Sequence, residues 1–141
     1  MTTDPAPADG YAGDLTVQQA WQLVSTGQAV LVDCRTEAEW RFVGVPDLAG
    51  VGAELVLVEW VDQQGRPNPD FARQVAEAVQ GRPPVFLCRS GQRSVSAARA
   101  ATAAGAKPAY NVLDGFEGGL DETGHRGRTG WRAEGLPWRQ S

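Results

Sequence analysis

The 141-residue sequence contains few of the residues that build disulfide frameworks or metal sites: it has two cysteines and a single histidine, His125. Two cysteines in a chain of this length do not make a disulfide framework, which predicts a reducing, cytoplasmic location. No cluster with metal-ligand spacing is present, so neither a metal nor a cofactor is expected. A lone cysteine in a polar loop of such a protein indicates chemistry rather than cross-linking.

Long apolar runs and blocks of like charge are also missing. No apolar stretch approaches the length of a membrane span, and the formal net charge of −4 is spread along the chain without a basic face. Neither a membrane nor a nucleic acid is therefore expected as a partner. Residues 1–9 carry two acids, two prolines and no apolar core, which excludes a secretory signal. We predict a disordered leader over residues 1–13 and one domain over residues 14–141.

Residues 84–94 form the most informative stretch, which reads as a strand, a polar loop and a helix. Val85 to Leu87 is an apolar run typical of a strand buried on both faces, and Ser94 is expected to open the helix. Cys88 then lies at the strand end, in a loop that precedes a helix N-terminus. Backbone N–H groups and the helix dipole in such a loop favour a thiolate and hold an anion beside it.

The alternative for Cys88 is a buried structural thiol, a common role for cysteine. The residues that follow argue against it, because a merely packed cysteine needs neither a glycine nor two arginines in its next five positions. Gly91 is expected at a positive φ that turns the loop amides inward, and Arg89 and Arg93 add positive charge. Cys88 is thus predicted to be a nucleophile.

Helix signals recur at regular intervals. Thr16 with Gln19 and Thr36 with Glu39 fit capping boxes, each opening a helix. A further helix is predicted to start at Asn68, with Asn68 as its N-cap and Pro69 as its first helical residue. That helix is supported by an apolar face at i, i+4 and i+8, formed by Phe71, Val75 and Val79. Gly81 is expected to end it.

Apolar segments at residues 29–32, 54–61, 84–87 and 109–113 predict strands between these helices. Alternating strands and helices imply right-handed crossovers. The expected fold class is therefore α/β: a three-layer α/β/α arrangement with a mostly parallel central sheet of about five strands. Ligands in such folds bind at the carboxyl ends of the strands, so Asp33 and Cys88 are expected to share one face. Trp131, Leu136 and Trp138 are expected to anchor the glycine-rich C-terminal segment.

The segment Cys-Arg-Ser-Gly-Gln-Arg-Ser after an apolar strand resembles the active-site loop of rhodanese-type sulfurtransferases. The resemblance extends over about residues 16–119, and Trp131 and residues 135–137 also fit it. Asp33 and Arg35 at the end of a strand, followed by Glu39 and Trp40, match the family's pattern. The segment at residues 44–46 lacks a histidine common in the family, and residues 120–130 form an inserted loop.

The length of the cysteine loop (residues 88–93) separates two chemistries. The loop of cysteine phosphatases resembles Cys-x5-Arg. Here four residues separate Cys88 from Arg93, which is the loop length seen in catalytic rhodaneses. A smaller loop suits a terminal sulfur better than a phosphoryl group. Phosphate ester hydrolysis also needs a general acid, whereas sulfite leaves without one. Asp114 and Glu117 are better explained as turn residues than as acids. A phosphatase or arsenate reductase remains the alternative enzymatic function. The alternative without catalysis is a module that binds a partner protein.

The resemblance implies a double displacement. The Cys88 thiolate takes the outer sulfur of a small anionic donor such as thiosulfate and forms a persulfide, which passes that sulfur to a thiol, to cyanide or to a protein acceptor. Backbone N–H groups of residues 89–94 would stabilise the sulfur anion. Arg89 and Arg93 would attract the donor, although the resemblance favours a structural role for Arg93. The other residues of this segment are expected to contact substrate: Ser90, Gly91, Gln92 and Ser94. The alternative role of Ser94 is to cap the helix.

Three further features allow two interpretations each. Asp33 either orients an arginine of the cysteine loop or forms an ion pair with Arg35 that fixes the strand end, and we favour the ion pair. Cys34 is either a resolving thiol or, as we favour, a small apolar strand residue. The inserted loop either packs near the active-site face and shapes the choice of acceptor or is a solvated surface loop.

Overall fold

A five-stranded parallel sheet forms the centre of the protein in this computed structural model, which describes residues 9–106 and 108–140. In chain order the strands are β1 (Gly13–Leu15), β2 (Val30–Asp33), β3 (Val45–Pro46), β4 (Leu55–Leu57), β5 (Pro84–Leu87), β6 (Tyr110–Val112) and β7 (Trp138–Arg139). The strand order in the sheet is β1-β6-β5-β2-β4, and every adjacent pair is parallel. The two short strands β3 and β7 form a separate antiparallel pair.

Helices cover both faces of this sheet, which confirms the predicted three-layer class. Alternate residues of β2 and β5 enter different cores, as the two-residue period of a strand requires. The helices are α1 (Val17–Ser25), α2 (Glu37–Phe42), α3 (Phe71–Val79) and α4 (Gln92–Ala103). Val32 and Phe86 pack towards the helices α3 and α4, whereas Leu31 and Val85 pack towards α1 and the C-terminal segment. None of the helices in the described ranges is long and apolar enough to cross a membrane.

Both predicted capping boxes are confirmed. The Thr16 hydroxyl accepts a hydrogen bond from the backbone N–H of Gln19, and the Gln19 side-chain oxygen accepts one from the backbone N–H of Thr16. Thr36 and Glu39 make the same reciprocal pair at the start of α2. These bonds satisfy N–H groups that a helix start leaves without a partner.

The predicted start of α3 at Asn68 is wrong. The helix begins at Phe71, and Asn68 instead makes a turn in which its Oδ1 accepts the backbone N–H of Asp70 at 3.0 Å. Its Nδ2 donates to the Glu59 carbonyl at 2.9 Å, so the side chain ties the loop to the end of the preceding segment. Asparagine favours such local turns as strongly as it favours caps.

The segment at residues 54–61 is a shorter strand than expected. Only Leu55–Leu57 belongs to the sheet, and beyond it Val58 and Trp60 donate to the carbonyls of Asp33 and Cys34. The chain therefore stays beside the end of β2 while it leaves the regular ladder.

The expected leader extends too far along the chain. Residues 1–8 lie outside the described residues, but Tyr11 is buried and Ala12 donates to the Ala109 carbonyl at 2.9 Å. Gly13 already belongs to β1, whose three residues are too few to give a periodic signal in the sequence. At the other end of the chain, Trp131 is fully buried, whereas Trp138 is 39% exposed and anchors only in part.

Candidate active site

The sulfur of Cys88 lies at the carboxyl end of β5, directly before the start of α4. Asp33 is the register partner of Leu87, so the ends of β2 and β5 are adjacent as expected. Gly91 is the N-cap of α4 with φ +98°, which confirms the predicted left-handed conformation. This turn directs N–H groups at the sulfur: Gly91 N is 3.1 Å and Ser94 N is 3.4 Å from Cys88 Sγ. Two backbone donors therefore stabilise negative charge on the sulfur.

Ser94 does not cap α4, because the helix begins two residues earlier, at Gln92. Its hydroxyl is instead buried 3.2 Å from Cys88 Sγ and donates to Asn111 Oδ1. Asn111 Nδ2 in turn donates to Asp14 at 2.9 Å, and the Tyr11 hydroxyl donates to the same carboxylate at 2.7 Å. A continuous polar network thus links the cysteine to β6 and β1. Asn111, Asp14 and Tyr11 carry no local signal of this role in the sequence, because only the strand order brings them together.

The two arginines of the cysteine loop differ in their contacts. Arg93 forms a bidentate pair with Glu39, with N–O distances of 2.7 and 2.9 Å. Arg89 is exposed and has no carboxylate within ion-pair distance in the described part of the chain. Glu39 was expected as a capping residue and as part of the family's pattern; its Oε1 makes the capping bond to Thr36 as well as the bond to Arg93. Arg93 therefore connects the cysteine loop to α2.

Asp33 and Arg35 form the ion pair favoured from the sequence. Both side chains are fully buried, with Arg35 Nη2 2.7 Å from Asp33 Oδ2 and 2.7 Å from the Gly44 carbonyl oxygen. The Arg35 guanidinium also lies 4.3 Å from the centroid of the Phe116 ring. Phe116 N donates to the Cys88 carbonyl at 2.8 Å, so the ion pair supports the cysteine loop through Phe116.

Cys34 is fully buried and its thiol donates to the Leu87 carbonyl at 3.4 Å. Burial, together with the nearby Cys88, raises the pKa of the Cys34 thiol well above its usual range. Both cysteines are free thiols in this structure. The described His, Cys, Asp and Glu side chains form no group of three that could hold a metal ion.

The expected turn at Asp114 and Gly115 is present, with φ values of +66° and +58°. Gly115 packs so closely against the cysteine loop that a Cβ would lie 2.7 Å from the carbonyl carbon of Arg89. Glu117 N donates to the Arg89 carbonyl at 3.0 Å. The segment after β6, which was expected only as a turn, therefore forms one wall of the cysteine loop.

The inserted loop is folded around Asp121 and lies on this same wall. Asp121 Oδ1 accepts the backbone N–H groups of Thr123 and His125, each at 2.9 Å. Gly127 N donates to the Glu117 carbonyl at 3.1 Å, and Glu117 is itself hydrogen-bonded to Arg89 of the cysteine loop.

Cys88 is thus a buried strand-end cysteine whose sulfur accepts amide hydrogen bonds from the loop before a helix, an environment that favours a thiolate. The sequence matches the rhodanese-like domain family over residues 16–122. The chain therefore belongs to the rhodanese-like domain family, as the resemblance predicted.

Relatives and solved structures agree with this assignment. Uncharacterized proteins of Rickettsia conorii and Rickettsia montanensis are each 37% identical over 119 residues, which cover 82% of this chain and 87% of each relative. The crystal structure of Rv0390 from M. tuberculosis is 61% identical with a TM-score of 0.86, covering 93% of this chain and 99% of that one. A Saccharomyces cerevisiae structure shares the fold, at 18% identity and a TM-score of 0.53 over 86% and 92% of the two chains.

The Glu39–Arg93 pair predicts a pH-dependent contribution to stability. Partial burial alone would raise the pKa of Glu39, but the hydrogen bonds and charge of Arg93 outweigh it and lower the pKa from 4.5 to about 2. Because the folded-state pKa is the lower one, the stabilisation is fully present above pH 4.5 and is lost as the pH falls towards 2. We expect Glu39→Gln to lower the free energy of unfolding by about 2 kcal/mol at pH 7 and by clearly less at pH 3.

Urea titrations at pH 7, 5 and 3 measure this difference. Glutamine preserves the capping role at this helix position, so the variant removes mainly the charge. Glu37→Gln, in the same helix and largely exposed, is the matched control and should change little at any pH. A stability difference for Glu39→Gln that stays constant from pH 7 to pH 3 would contradict the assignment.

Proposed function

We propose that the protein is a sulfurtransferase of the thiosulfate type, which moves a sulfane sulfur from a small anionic donor to a nucleophilic acceptor through a persulfide on Cys88. The observation that carries this proposal is the pair of N–H groups, from Gly91 and Ser94, that meet the Cys88 sulfur. Such donors stabilise a sulfur anion both before and after it gains a second sulfur. No cofactor takes part.

In the first step the Cys88 thiolate attacks the outer sulfur of thiosulfate. A new S–S bond forms to Cys88 Sγ, the S–S bond of the donor breaks, and sulfite leaves with the electron pair. The product is a Cys88 persulfide with its negative charge on the outer sulfur. No proton has to be delivered to the leaving group, which agrees with a site whose described sulfur contacts are amides and a hydroxyl.

The contacts of the two loop arginines suggest different roles. Arg93 is held by both carboxylate oxygens of Glu39, so its part is to position the cysteine loop. Arg89 is exposed beside Cys88 and is the group that would attract the sulfonate of the donor. The part of the cysteine loop between the two arginines is formed by Ser90, Gly91 and Gln92.

In the second step a nucleophilic acceptor attacks the outer sulfur of the persulfide. The Cys88–sulfur bond breaks and its electron pair returns to Cys88 Sγ, which restores the thiolate. Cyanide, a small thiol or a cysteine of a protein partner would serve as acceptor, since each is a nucleophile towards sulfane sulfur.

The two cysteines supply a matched test in a thiocyanate-formation assay with thiosulfate and cyanide. We expect Cys88→Ala to lower turnover at least about 1,000-fold, because the covalent intermediate cannot form. Cys34→Ala removes the same atoms from the neighbouring strand end and should keep turnover within about threefold, since that thiol is buried and protonated.

A result in which Cys34→Ala is as inactive as Cys88→Ala, with both variants folded, would contradict this mechanism. Hydrolysis of a small aryl phosphate that depends on Cys88, without thiocyanate formation, would instead establish the phosphatase alternative.

A further inference from the structure

A cavity of about 290 Å³ opens on the wall of the cysteine loop, between the inserted loop and the C-terminal segment. We call it the loop cavity. Its connection to the cysteine loop is short, because Glu117, which lines it, donates its backbone N–H to the Arg89 carbonyl at 3.0 Å. The residues that line the loop cavity are Glu117, Arg126, Gly127, Arg132, Ala133 and Trp138.

The two arginines of the loop cavity have no carboxylate within ion-pair distance among the described residues. Arg128, on the same inserted loop, does have one: its Nε is 3.4 Å from Asp121 Oδ2. The loop cavity thus holds two unpaired cations against one carboxylate, Glu117, although the whole chain is acidic with a net charge of −4. A local excess of positive charge in a concave site attracts an anion.

Both guanidinium groups are held in place with hydrogen-bonding capacity left over. Arg126 Nη1 donates to the Gly118 carbonyl at 2.8 Å, which fixes its direction and uses one of its five donors. Arg132 stacks over Trp138, with its guanidinium carbon 4.4 Å from a ring centroid. A stacked guanidinium keeps its N–H groups in the plane of the fork, where they match a carboxylate.

We propose that the loop cavity binds the carboxylate of a small thiol acceptor, and so selects carboxylate-bearing thiols for the second step. This inference rests on the proposed function. The sulfonate of thiosulfate stays one bond from the sulfur that Cys88 attacks, so it remains beside Cys88 and does not extend to the loop cavity. A thiol whose carboxylate is several bonds from its sulfur separates the two groups by more than thiosulfate does, as a site beyond the Glu117–Arg89 contact requires.

The transfer conserves electrons without any further reactant. The acceptor thiolate attacks the outer sulfur of the persulfide, a new S–S bond forms on the acceptor, and the bond to Cys88 Sγ breaks. The electron pair of that bond returns to Cys88, while the loop cavity only positions the far end of the acceptor. The acceptor leaves as its own persulfide.

Three thiols of similar size and different charge test the proposal: 3-mercaptopropionate, 2-mercaptoethanol and cysteamine. Each is reacted with the preformed Cys88 persulfide of the full chain, and the rate of sulfur transfer is measured for every variant. The measured quantity is the ratio of the 3-mercaptopropionate rate to the 2-mercaptoethanol rate. Comparing this ratio between variants cancels the intrinsic reactivity of the thiols.

We expect Arg126→Gln and Arg132→Gln each to lower this ratio about fivefold, the size of one lost charged hydrogen bond. Arg128→Gln is the matched control from the inserted loop and should leave the ratio within about twofold of the parent. The cysteamine ratio should not fall in the two cavity variants, because removing a cation does not weaken a cationic ligand.

Two outcomes overturn the inference while the proposed function stands: ratios unchanged in both cavity variants, or an equal fall in Arg128→Gln, which would indicate only the general field of the protein. If Arg126→Gln fails to fold because its bond to Gly118 is lost, Arg132→Gln decides alone. Failure of thiosulfate to form any persulfide, before a thiol is added, overturns the proposed function and this inference with it.

Discussion

Replacing Arg35 with methionine is expected to lower the free energy of unfolding by about 3–5 kcal/mol, because it leaves a fully buried carboxylate without its counter-ion. Arg35 makes three side-chain hydrogen bonds to Asp33, and in the variant the backbone N–H of residue 35 would be the only donor left on that carboxylate among the described residues. The Gly44 carbonyl would also lose its donor. Methionine fills a similar volume, so the loss reports charge rather than a cavity.

Two comparisons separate this effect from general destabilisation. Arg41→Met removes an ion pair with Glu37 in which both side chains are about two-thirds exposed, and it should change stability little. The double variant Asp33→Asn, Arg35→Met removes both charges and should be more stable than Arg35→Met alone. Urea unfolding of the three variants gives the answer, and a loss in Arg35→Met no larger than in Arg41→Met would contradict the buried ion pair.

Gly115→Ala is expected to be the most damaging small substitution near the active site. The new Cβ would press on the Cys88 carbonyl oxygen and lie 2.7 Å from the Arg89 carbonyl carbon and oxygen. Both neighbours are backbone atoms of the cysteine loop, so neither can yield without moving the loop itself. We expect a loss of about 2–4 kcal/mol of stability and a fall of about 100-fold in the rate of persulfide formation.

Gly124→Ala is the matched control for the backbone conformation. Gly124 has φ +81°, but a Cβ there would meet nothing within 4 Å. The control therefore carries only the strain of a left-handed residue, about 1 kcal/mol, and should leave persulfide formation unchanged. Equal effects of the two substitutions on the persulfide rate would show that contact with the cysteine loop is not what Gly115 provides.

Local patterns were sufficient to predict much of this fold. The apolar run before Cys88, the turn glycine Gly91 and the capping boxes at Thr16 and Thr36 each depend on residues close in sequence, and each is present in the structure. The parallel three-layer class followed from their alternation. Where two local motifs compete for one residue, as turn and cap do at Asn68, the local pattern did not decide between them.

The contacts around Cys88 that the sequence did not reveal join distant segments. Glu39 and Arg93 are 54 positions apart, and Asn111 and Asp14 are 97 apart. Both pairs depend on which elements are neighbours in space, and the order β1-β6-β5-β2-β4 is not visible in any local periodicity. Ser94 illustrates the same point, because it makes buried contacts with Cys88 and Asn111 and not the helix cap that was one of its two expected roles.

Transfer of sulfur to Cys88 is the central claim, and an intact-mass measurement tests it most directly. The purified protein is incubated with thiosulfate, separated from it, and weighed before and after treatment with cyanide. The proposed function predicts a gain of one sulfur atom that cyanide removes and that is absent in Cys88→Ala but present in Cys34→Ala. An unchanged mass in the parent protein, or an added sulfur that persists in Cys88→Ala, would contradict it.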